Sequence, residues 1–558
     1  MRFSPAVRSL PQALYLLLSL AFLITFLITL WMTFYSPVNA DEIFWKLMIA
    51  RLEGDDGKLI YLFAQCREGQ WIDAPLTWYP AMWINAWFYE DASQPWALRV
   101  HGWVIFLVLL VLWAWLLRQR SGLGLPDAFL AVSAFLSVGV MPFLMVFERP
   151  EQPLLLLLTL VLLTTLIQHR ASAVPSFTSA RIVAPVGWGR GLLVVLGFAL
   201  VATLMSGTHP KGMFLFPVLL VLAWRHLRSW PLVMILAAVL GWTAFDTQQV
   251  WQLRTSCPEF PGLMKLLQNL TLRPGTLLSD PRSFIESGWA NMMAFGAYVN
   301  SLEFRQSYIS SWLPAASTDW SISEPMVLLA NALLWLPLLV AVLVIAANCW
   351  SNRRIRTWAD ALLWLSLALA LGAIVVLQTA KNFYEASMVW PLILLLVIFS
   401  FGRPLARPAG ARARIFLSIL MVAALVSGVV RFDRFGDITQ DWRELRSEQQ
   451  ALGKLRNEAL RDFARAQCAI GDDAKRLVLD NDTYQSFWEH EQPIFLDYAS
   501  GWWGAEADIQ KTLRDRQVGG LIAKCERVPE VLRPFMVQDS DGSGASGGFC
   551  CIAAEQLR

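Results

Sequence analysis

The chain has 558 residues and a net charge of +3, and 56% of its residues are hydrophobic while 16% are charged. Because a soluble domain carries about 25% charged residues, this composition argues against an ordinary soluble protein and indicates a polytopic membrane protein. The basic residues recur in short runs between apolar segments, so nucleic-acid binding is not predicted. Five histidines and seven cysteines form neither a Cys-x-x-Cys nor a His-Glu-x-x-His motif, so a zinc site is not predicted either.

The first apolar segment, Ala13 to Phe34, contains no charged residue and is long enough to cross the hydrocarbon core of a bilayer. Val38-Asn39-Ala40 is similar to a signal-peptidase site, but the apolar run exceeds the roughly 7–15 residues of a signal peptide's core. The segment therefore favours an uncleaved signal anchor, with cleavage as the alternative. Asp41 and Glu42 follow directly, where the helix meets water. They either begin a helix or form an acid/base pair at the interface.

The stretch from Gly69 to Trp96 is rich in tryptophan, tyrosine and proline. It predicts short amphipathic helices on the membrane surface rather than a packed soluble loop. Ten more apolar segments follow and bring the predicted number of spans to eleven. They are Val100–Leu117, Ala128–Phe147, Pro153–Ile167, Leu192–Met205, Met213–Trp224, Trp230–Phe245, Pro325–Ala347, Ala361–Thr379, Met388–Phe401 and Ile415–Val430.

Arginine-rich runs indicate the cytoplasmic loops, because such loops carry an excess of Lys and Arg. The runs lie at Arg118–Arg120, Arg225–Arg228, Arg353–Arg356 and Arg403–Arg414. With these loops inside, the N-terminus is cytoplasmic. The first outer loop (35–99), a long outer loop (246–324) and the tail are then on the opposite side.

The tail, residues 431–558, has the charged composition of a soluble domain, whereas residues 1–430 form the predicted membrane domain. A polar helix is predicted at Trp442–Ala466, and strands at Arg476–Asp480, Gly520–Ala523 and Phe549–Ile552, which together indicate a small α/β domain. Four cysteines would lie in an oxidising compartment and predict at least one disulfide, with the pairing left open. They are Cys468, Cys525, Cys550 and Cys551.

Ionisable residues lie at the outer ends of several predicted spans. They occur in Asp41-Glu42, Arg149-Pro150-Glu151, His209-Pro210-Lys211 and Lys381-Asn382-Phe383-Tyr384-Glu385. Ionisable groups at membrane depth are costly and tend to mark function, although a single cluster would also suit an interfacial anchor. Two acids and three separate cations on one face favour a functional site.

Ala40-Asp41-Glu42-Ile43-Phe44-Trp45, directly after the first span, resembles the first-loop signature of GT-C superfamily glycosyltransferases. The branch it resembles most holds protein O-mannosyltransferases and the lipid A aminoarabinose transferase. The resemblance covers about residues 1–430 and rests on four more motifs. These are Leu98-Arg99-Val100, Glu148-Arg149-Pro150-Glu151, Thr208-His209-Pro210-Lys211-Gly212 and Lys381 to Tyr384 before Pro391. The His209-Pro210 insertion departs from the family's Thr-Lys-Gly turn.

The resemblance implies a mainly α fold, a polytopic transmembrane helical bundle of GT-C type with a small C-terminal α/β periplasmic domain. It implies a bacterial inner (plasma) membrane protein that moves a sugar from a polyprenyl-phosphate donor at the periplasmic face, with inversion. The acceptor is a lipid, a glycan or a protein. No cofactor is expected. A metal-dependent mechanism is not favoured, because the outer loops contain no Asp-x-Asp motif.

Among the candidate site residues, Asp41 is assigned as general base and Glu42 as the neighbour that shapes its pKa or the acceptor pocket. Arg149, Lys211 and Lys381 are assigned to the donor phosphate, because cations stabilise developing phosphate charge. Tyr384 is a hydrogen-bond donor to phosphate or sugar. Four further residues are possible substrate-binding groups: Arg99, Glu151, His209 and Glu385.

Most of these residues also have a purely structural interpretation. In that interpretation, Arg149 pairs with Glu148 or Glu151. Lys211 caps a helix C-terminus, where a cation is favourable. His209 and His101 serve as structural hydrogen-bonding groups, and Glu385 and Arg99 form salt bridges. At the level of the whole chain, the rivals are a transporter or flippase of lipid-linked sugars and a non-catalytic subunit of envelope assembly.

Overall fold

The computed structural model describes most of the membrane part and much of the tail. The described residues are 5–35, 59–60, 71–72, 95–147, 149–171, 187–254, 270–273, 275–303, 324–351, 358–381, 383–401, 414–433, 455–471, 474, 476–480, 483, 487, 492–496, 506–515, 517–538 and 549–557. Asp41, Glu42 and the side chain of Tyr384 lie outside this set, as does most of the aromatic-rich stretch at 69–96.

Helices dominate the described residues between 5 and 433. They are α1 (Pro5–Tyr35), α2 (Pro95–Ser121), α3 (Leu125–Leu136), α4 (Met141–Leu144), α5 (Glu151–Ala171), α6 (Trp188–Thr208), α7 (Phe216–Leu227), α8 (Trp230–Arg254), α9 (Thr276–Ser279), α10 (Pro281–Met293), α11 (Gly296–Asn300), α12 (Glu324–Leu333), α13 (Leu336–Ser351), α14 (Trp358–Leu377), α15 (Phe383–Ser400) and α16 (Arg414–Asp433). A 3-10 turn, Pro210–Leu215, joins α6 to α7. Two short strands, β1 (Leu59–Ile60) and β2 (Trp71–Ile72), pair antiparallel.

Seven helices in the described part are long and apolar enough to cross a membrane, which makes the chain a multi-pass membrane protein. They are Gln12–Phe34, Arg99–Ser121, Trp188–Thr208, Trp230–Gln252, Glu324–Trp350 (α12 and α13 taken together), Trp358–Leu377 and Arg414–Asp433. Three shorter apolar helices lie at Leu125–Leu136, Glu151–Leu166 and Glu385–Ser400. With α7 (Phe216–Leu227), which covers most of the sixth predicted segment, helices lie in all eleven predicted segments, but the predicted count of eleven spans stays a prediction.

The third predicted span, Ala128–Phe147, is not one continuous helix. Helix α3 ends at Leu136, and Gly139 adopts a φ of +51°, a conformation that disfavours residues with a Cβ. The Leu302 carbonyl also occupies the space that a Cβ of Gly139 would need. The apolar run in the sequence hides this break, because the contact that requires it comes from a distant loop.

Arg431, in the last helix α16, holds the broken segment in place. Its side chain is 1% exposed and donates to the carbonyls of Ser137 (2.8 Å) and Gly139 (3.0 Å from Nε) and to Thr29 Oγ1 (2.7 Å). The last carbonyls of a helix lack partners inside the helix, and a cation is favourable there. Arg431 therefore joins the end of α3 to α1 and α16.

Two clusters of buried charge lie at opposite ends of α2. At its C-terminal end, Asp360 forms ion pairs with Arg225 at 3.0 Å and with Arg120 at 3.9 Å. The guanidinium of Arg120 also lies over the Phe399 ring, 4.4 Å from its centre. Arg99 lies at its N-terminal end, 21 residues away, which is about 30 Å at the rise of an α-helix. The arginine rule of the sequence analysis predicts that the Asp360 end faces the cytoplasm.

The tail contains a five-stranded mixed sheet with the order β4-β3-β5-β7-β6. Its elements are α17 (Leu455–Cys468), β3 (Arg476–Leu479), β4 (Gln492–Phe495), α18 (Glu506–Asp515), β5 (Gly520–Lys524), β6 (Val537–Gln538), β7 (Phe549–Ala553) and α19 (Ala554–Leu557). Strand β3 runs parallel to β4 and β5, and β7 runs antiparallel to β5 and β6. Three of these strands lie where the sequence predicts them, whereas β4 and β6 are not predicted.

Two disulfides connect the sheet to its surroundings: Cys468–Cys551 and Cys525–Cys550. Successive side chains of a strand point to opposite faces, so neighbouring Cys550 and Cys551 pack into different core clusters. One bridge therefore fixes α17 to one face, and the other fixes the turn after β5 to the opposite face.

Candidate functional site

Glu151 is the centre of a buried charge cluster at the end of the bundle opposite to Asp360. It is the first residue of α5, where the helix dipole favours an acid, and its side chain is 0% exposed. Arg149 donates to both of its carboxylate oxygens, from Nε at 3.0 Å and from Nη2 at 3.3 Å. The pairing of Arg149 with Glu151, one of the structural interpretations above, is therefore present.

Lys211 extends this pair to another helix. The 3-10 turn folds back on α6, because Gly212 packs directly on the Met205 backbone, where a Cβ would collide. Lys211 Nζ lies 2.7 Å from Glu151 Oε1 and 2.5 Å from Glu385 Oε2, in the first turn of α15. Arg149, Glu151, Lys211 and Glu385 thus form a series of alternating charges, which we call the charged row.

The charged row is almost completely shielded from water. Lys211 is 8% exposed and Glu385 is 10% exposed at the side chain. Burial alone would lower the pKa of Lys211, but the carboxylates of Glu151 and Glu385 raise it above its ordinary value. Lys211 therefore stays charged, and two cations balance two carboxylates within the row.

His209 supports the turn that carries Lys211. Its Nδ1 accepts a hydrogen bond from the Lys211 backbone N–H at 3.1 Å, and its ring lies 5.7 Å from that of Trp251. Burial, reinforced by the positive charge of Lys211, lowers the pKa of His209 to about 3. The imidazole is therefore neutral and forms part of the turn, which supports its structural interpretation.

Lys381 caps the C-terminal end of α14. Its Nζ donates to the carbonyls of Val375, at 2.5 Å, and Gln378, and it lies 5.0 Å from the centre of the Tyr298 ring. Lys381 thus performs at α14 the role of a C-terminal cap, which the sequence also suggested for Lys211 at another helix. Within the described residues, no carboxylate lies within ion-pair distance of Lys381.

The environment of Lys381 makes it a titratable cation. Burial lowers its pKa to about 8, against the opposing influence of Glu385. Burial, together with the charge of Glu385, also raises the pKa of Tyr298, whose hydroxyl donates to Gln378 Oε1 at 3.2 Å. Glu385 therefore acts electrostatically on both Lys211 and Lys381, and the five charged groups together leave one positive charge.

Arg99 connects this end of the bundle to the exit of α1. Its Nη1 donates to the Thr33 carbonyl at 2.8 Å, and its guanidinium lies over the Phe147 ring at 4.8 Å. Thr33 is in the last turn of α1, and Phe147 precedes Arg149 by two residues. Helix α1 therefore ends at the same end of the bundle as the charged row, and Asp41 and Glu42 follow it in the sequence, outside the described residues.

Sequence reasoning placed Arg149, Lys211 and Lys381 on one face, and the structure brings them to one end of the bundle. It did not identify Tyr298, Gln378 or Asn291, which complete the bonding around Lys381 and α14. These residues belong to no motif, and their role arises from contacts between loops distant in sequence. Among the described residues, no group of three His, Cys, Asp or Glu side chains is placed to hold a metal ion.

No protein family model matches the chain, and no curated protein sequence matches it. It is similar to ArnT from Cupriavidus metallidurans bound to undecaprenyl phosphate, with a TM-score of 0.45 and 12% identity over 97% of both chains. It is also similar to the oligosaccharyltransferase of Archaeoglobus fulgidus in the apo form, with a TM-score of 0.44 and 11% identity over 90% of this chain and 70% of that one. It is similar as well to the oligosaccharyltransferase AglB of the same organism in complex with an inhibitory peptide and a dolichol-phosphate. The TM-score is 0.40 and the identity 10%, over 90% of this chain and 69% of that one.

Proposed function

We propose that this protein is a membrane glycosyltransferase that moves a sugar from a polyprenyl-phosphate donor to an acceptor at the outer face. The observation that carries the proposal is the convergence of three cations and two carboxylates at the bundle end where α1 exits. Ionisable groups buried near a membrane surface are expensive, and they mark functional sites more often than anchors.

The charge of the cluster suits a lipid-linked donor. A sugar joined to a polyprenyl phosphate is a phosphodiester with a single negative charge, and the charged row plus Lys381 presents one net positive charge. After transfer, the released phosphate monoester carries about −1.5 to −2 charges at neutral pH. As the bond to phosphate breaks, Lys381, Lys211 and Arg149 stabilise the negative charge that develops on the phosphate.

Among the three cations, Lys381 is proposed to contact the phosphate first. An ammonium has three donors, and two of those on Lys381 are directed at the carbonyls of α14. Its side chain is half-buried, so the third donor can meet a lipid that arrives from the membrane. Lys211 contacts the phosphate next, once Glu385 has moved away from it. Arg149 mainly holds Glu151 in place.

Asp41 is proposed as the general base, with Glu42 beside it. In the reaction, the acceptor oxygen bonds to the anomeric carbon of the sugar while the carbon–oxygen bond to phosphate breaks. The phosphate retains that electron pair, and the hydroxyl proton passes to Asp41. A positioned base of this kind contributes about 10²–10⁴-fold to the rate. Tyr384, Arg99, Glu151, His209 and Glu385 remain proposed as residues around the substrates.

The decisive experiment compares Asp41→Asn with the wild type in lipid nanodiscs. We expect transfer from a polyprenyl-phosphate sugar to fall by about 10²–10⁴-fold, while the affinity for the donor changes little. Glu286→Gln, in an exposed pair with Arg282 on α10, is the matched control and should retain full transfer.

Unchanged transfer in Asp41→Asn would remove the proposed base. Absence of transfer in the wild type, together with movement of a fluorescent polyprenyl phosphate across the bilayer, would instead identify a flippase. Mass analysis of envelope glycans and lipids from a strain without the gene identifies the sugar and the acceptor.

A further inference from the structure

Helix α10 has a face that packs against the membrane bundle. Asp280 caps its start by accepting from the Ser283 N–H at 3.1 Å. A Cβ on Gly288 would lie only 3.0 Å from Val376 Cγ1, and Asn291 Nδ2 donates to the Val376 carbonyl at 2.7 Å. This face of α10 is thus fixed to the C-terminal end of α14.

The neighbouring face of α10 is apolar and exposed. Ile285 is 64% exposed, Trp289 60%, Met292 41% and Met293 68%. Their spacing of i, i+4, i+7 and i+8 places the four side chains in one stripe. Leu278, in the preceding short helix α9, is 89% exposed and adds to the same apolar segment. A contiguous apolar surface of this kind indicates contact with a membrane or a partner.

The remaining face of α10 is polar and small. Ser283 and Ala290 are exposed there. The exposed ion pair of Arg282 and Glu286, at 2.8 Å, lies at the N-terminal end of the stripe, seven residues before Trp289 and Met293. The helix therefore divides its circumference among protein, an apolar medium and water. A helix that lies along a membrane interface meets these three environments.

Lipid is the occupant that the surroundings of α10 favour. The helix is held at the end of α14, a candidate span whose Leu365 and Leu369 are 48% and 56% exposed, as side chains facing lipid would be. Trp335, between α12 and α13, lies against Gly296 just after α10 and is 45% exposed. Tryptophan is enriched at membrane–water interfaces.

We propose that α10 lies in the membrane–water interface on the outer side of the membrane that the bundle spans. Its side chains Ile285, Trp289, Met292 and Met293 insert among phospholipid acyl chains. Asn291 and Lys381 bond to neighbouring carbonyls at the end of α14, those of Val376 and Val375. The inserted helix therefore sets the depth of Lys381 at the level of the lipid headgroups. The insertion itself does not depend on sugar transfer.

The test uses the full chain in vesicles of phosphatidylethanolamine and phosphatidylglycerol with radiolabelled acyl chains. The photo-crosslinking residue p-benzoylphenylalanine replaces Trp289 or Met293 on the stripe, or Ser283 or Ala290 as matched controls on the polar face. All four positions are exposed, and size-exclusion chromatography checks that each variant folds. We expect about fivefold more lipid adduct at 289 and 293 than at 283 and 290, because only the stripe reaches the acyl chains.

Equal lipid labelling at all four positions would overturn the proposal. So would crosslinks from position 289 to another segment of the chain without lipid adducts, since the chain itself would then cover the stripe. Both readouts are independent of sugar transfer, so a failure here leaves the proposed function untouched, and a failure of the proposed function leaves this result intact.

Discussion

Replacing Lys211 by methionine tests whether the charged row is a single electrostatic unit. The substitution keeps the length of the side chain and removes the cation between two carboxylates, at 2.7 Å from Glu151 and 2.5 Å from Glu385. Removing one partner from a buried ion pair destabilises by about 3–5 kcal/mol, because the other charge stays buried without compensation. Glu151 retains Arg149, so Glu385 bears most of the loss. We expect a decrease in the free energy of unfolding within that range.

The double variant Lys211→Met/Glu385→Gln separates this cause from lost packing. It removes one positive and one negative charge, so the row is neutral again. We expect it to recover at least half of the loss. Together with the single variant Glu385→Gln, this gives a coupling of about 2 kcal/mol or more in a double-mutant cycle. The measurement is denaturant unfolding of the full chain in micelles, followed by tryptophan fluorescence. Arg282→Met, which breaks the exposed pair on α10, is the control and should cost far less.

Two results would refute the reasoning. A loss below about 1 kcal/mol in Lys211→Met would mean that the pair behaves like one at the surface. A double variant no more stable than the single one would mean that the loss comes from packing and not from charge.

Three further predictions use the same protein. Since the pKa of Lys381 is lowered to about 8, affinity for undecaprenyl phosphate should fall as pH rises from 7 to 9, and Lys381→Met should abolish that dependence; a flat wild-type profile contradicts it. Over the same range, stability should rise with pH, because the unfolded chain then binds more protons than the folded one. Glu385→Gln should bind undecaprenyl phosphate about 100-fold more tightly by equilibrium titration. This is the effect of removing one charge at roughly 10 Å from a phosphate of about −1.5 to −2 charges, at an effective dielectric constant of about 20. Unchanged or weaker binding contradicts it. Asp360→Asn should destabilise the bundle by about 3–5 kcal/mol in denaturant unfolding, because Arg120 and Arg225 lose the carboxylate that they share. The affinity of this variant for undecaprenyl phosphate should equal that of the wild type. A changed affinity would contradict the separation of the two ends of the bundle.

Local patterns in the sequence predict the helices well, because the apolar runs and the arginine-rich loops each act over short distances. The interruption of the third span at Gly139 could not be predicted that way. It depends on the Leu302 carbonyl and on Arg431, which lie far away in the sequence. Similarly, the two strands that were not predicted, β4 and β6, are short, and they are strands because they pair with β3 and β7.

The candidate site shows the same limit. The sequence predicts that Arg149, Lys211 and Glu385 lie on one face, because each follows or precedes a predicted span. Which acid meets which cation depends on how α5, α6 and α15 pack, and that is a property of the whole bundle. The sequence offered the pairing of Arg149 with Glu151 as one interpretation, but the contact between Glu151 and Lys211 follows only from the fold.

The presence of two carboxylates among three cations bears on how a lipid phosphate would leave. A site with cations alone would hold the released monoester, with its charge of about −1.5 to −2, more tightly than the donor with its single charge. Binding energy that persists in the product slows turnover, whereas energy expressed only as charge develops accelerates the reaction. Glu385, held by Lys211 at 2.5 Å and acting on Lys381, is placed to offset that excess attraction. A weakly held product is therefore the functional reason we infer for the alternating charges of the row.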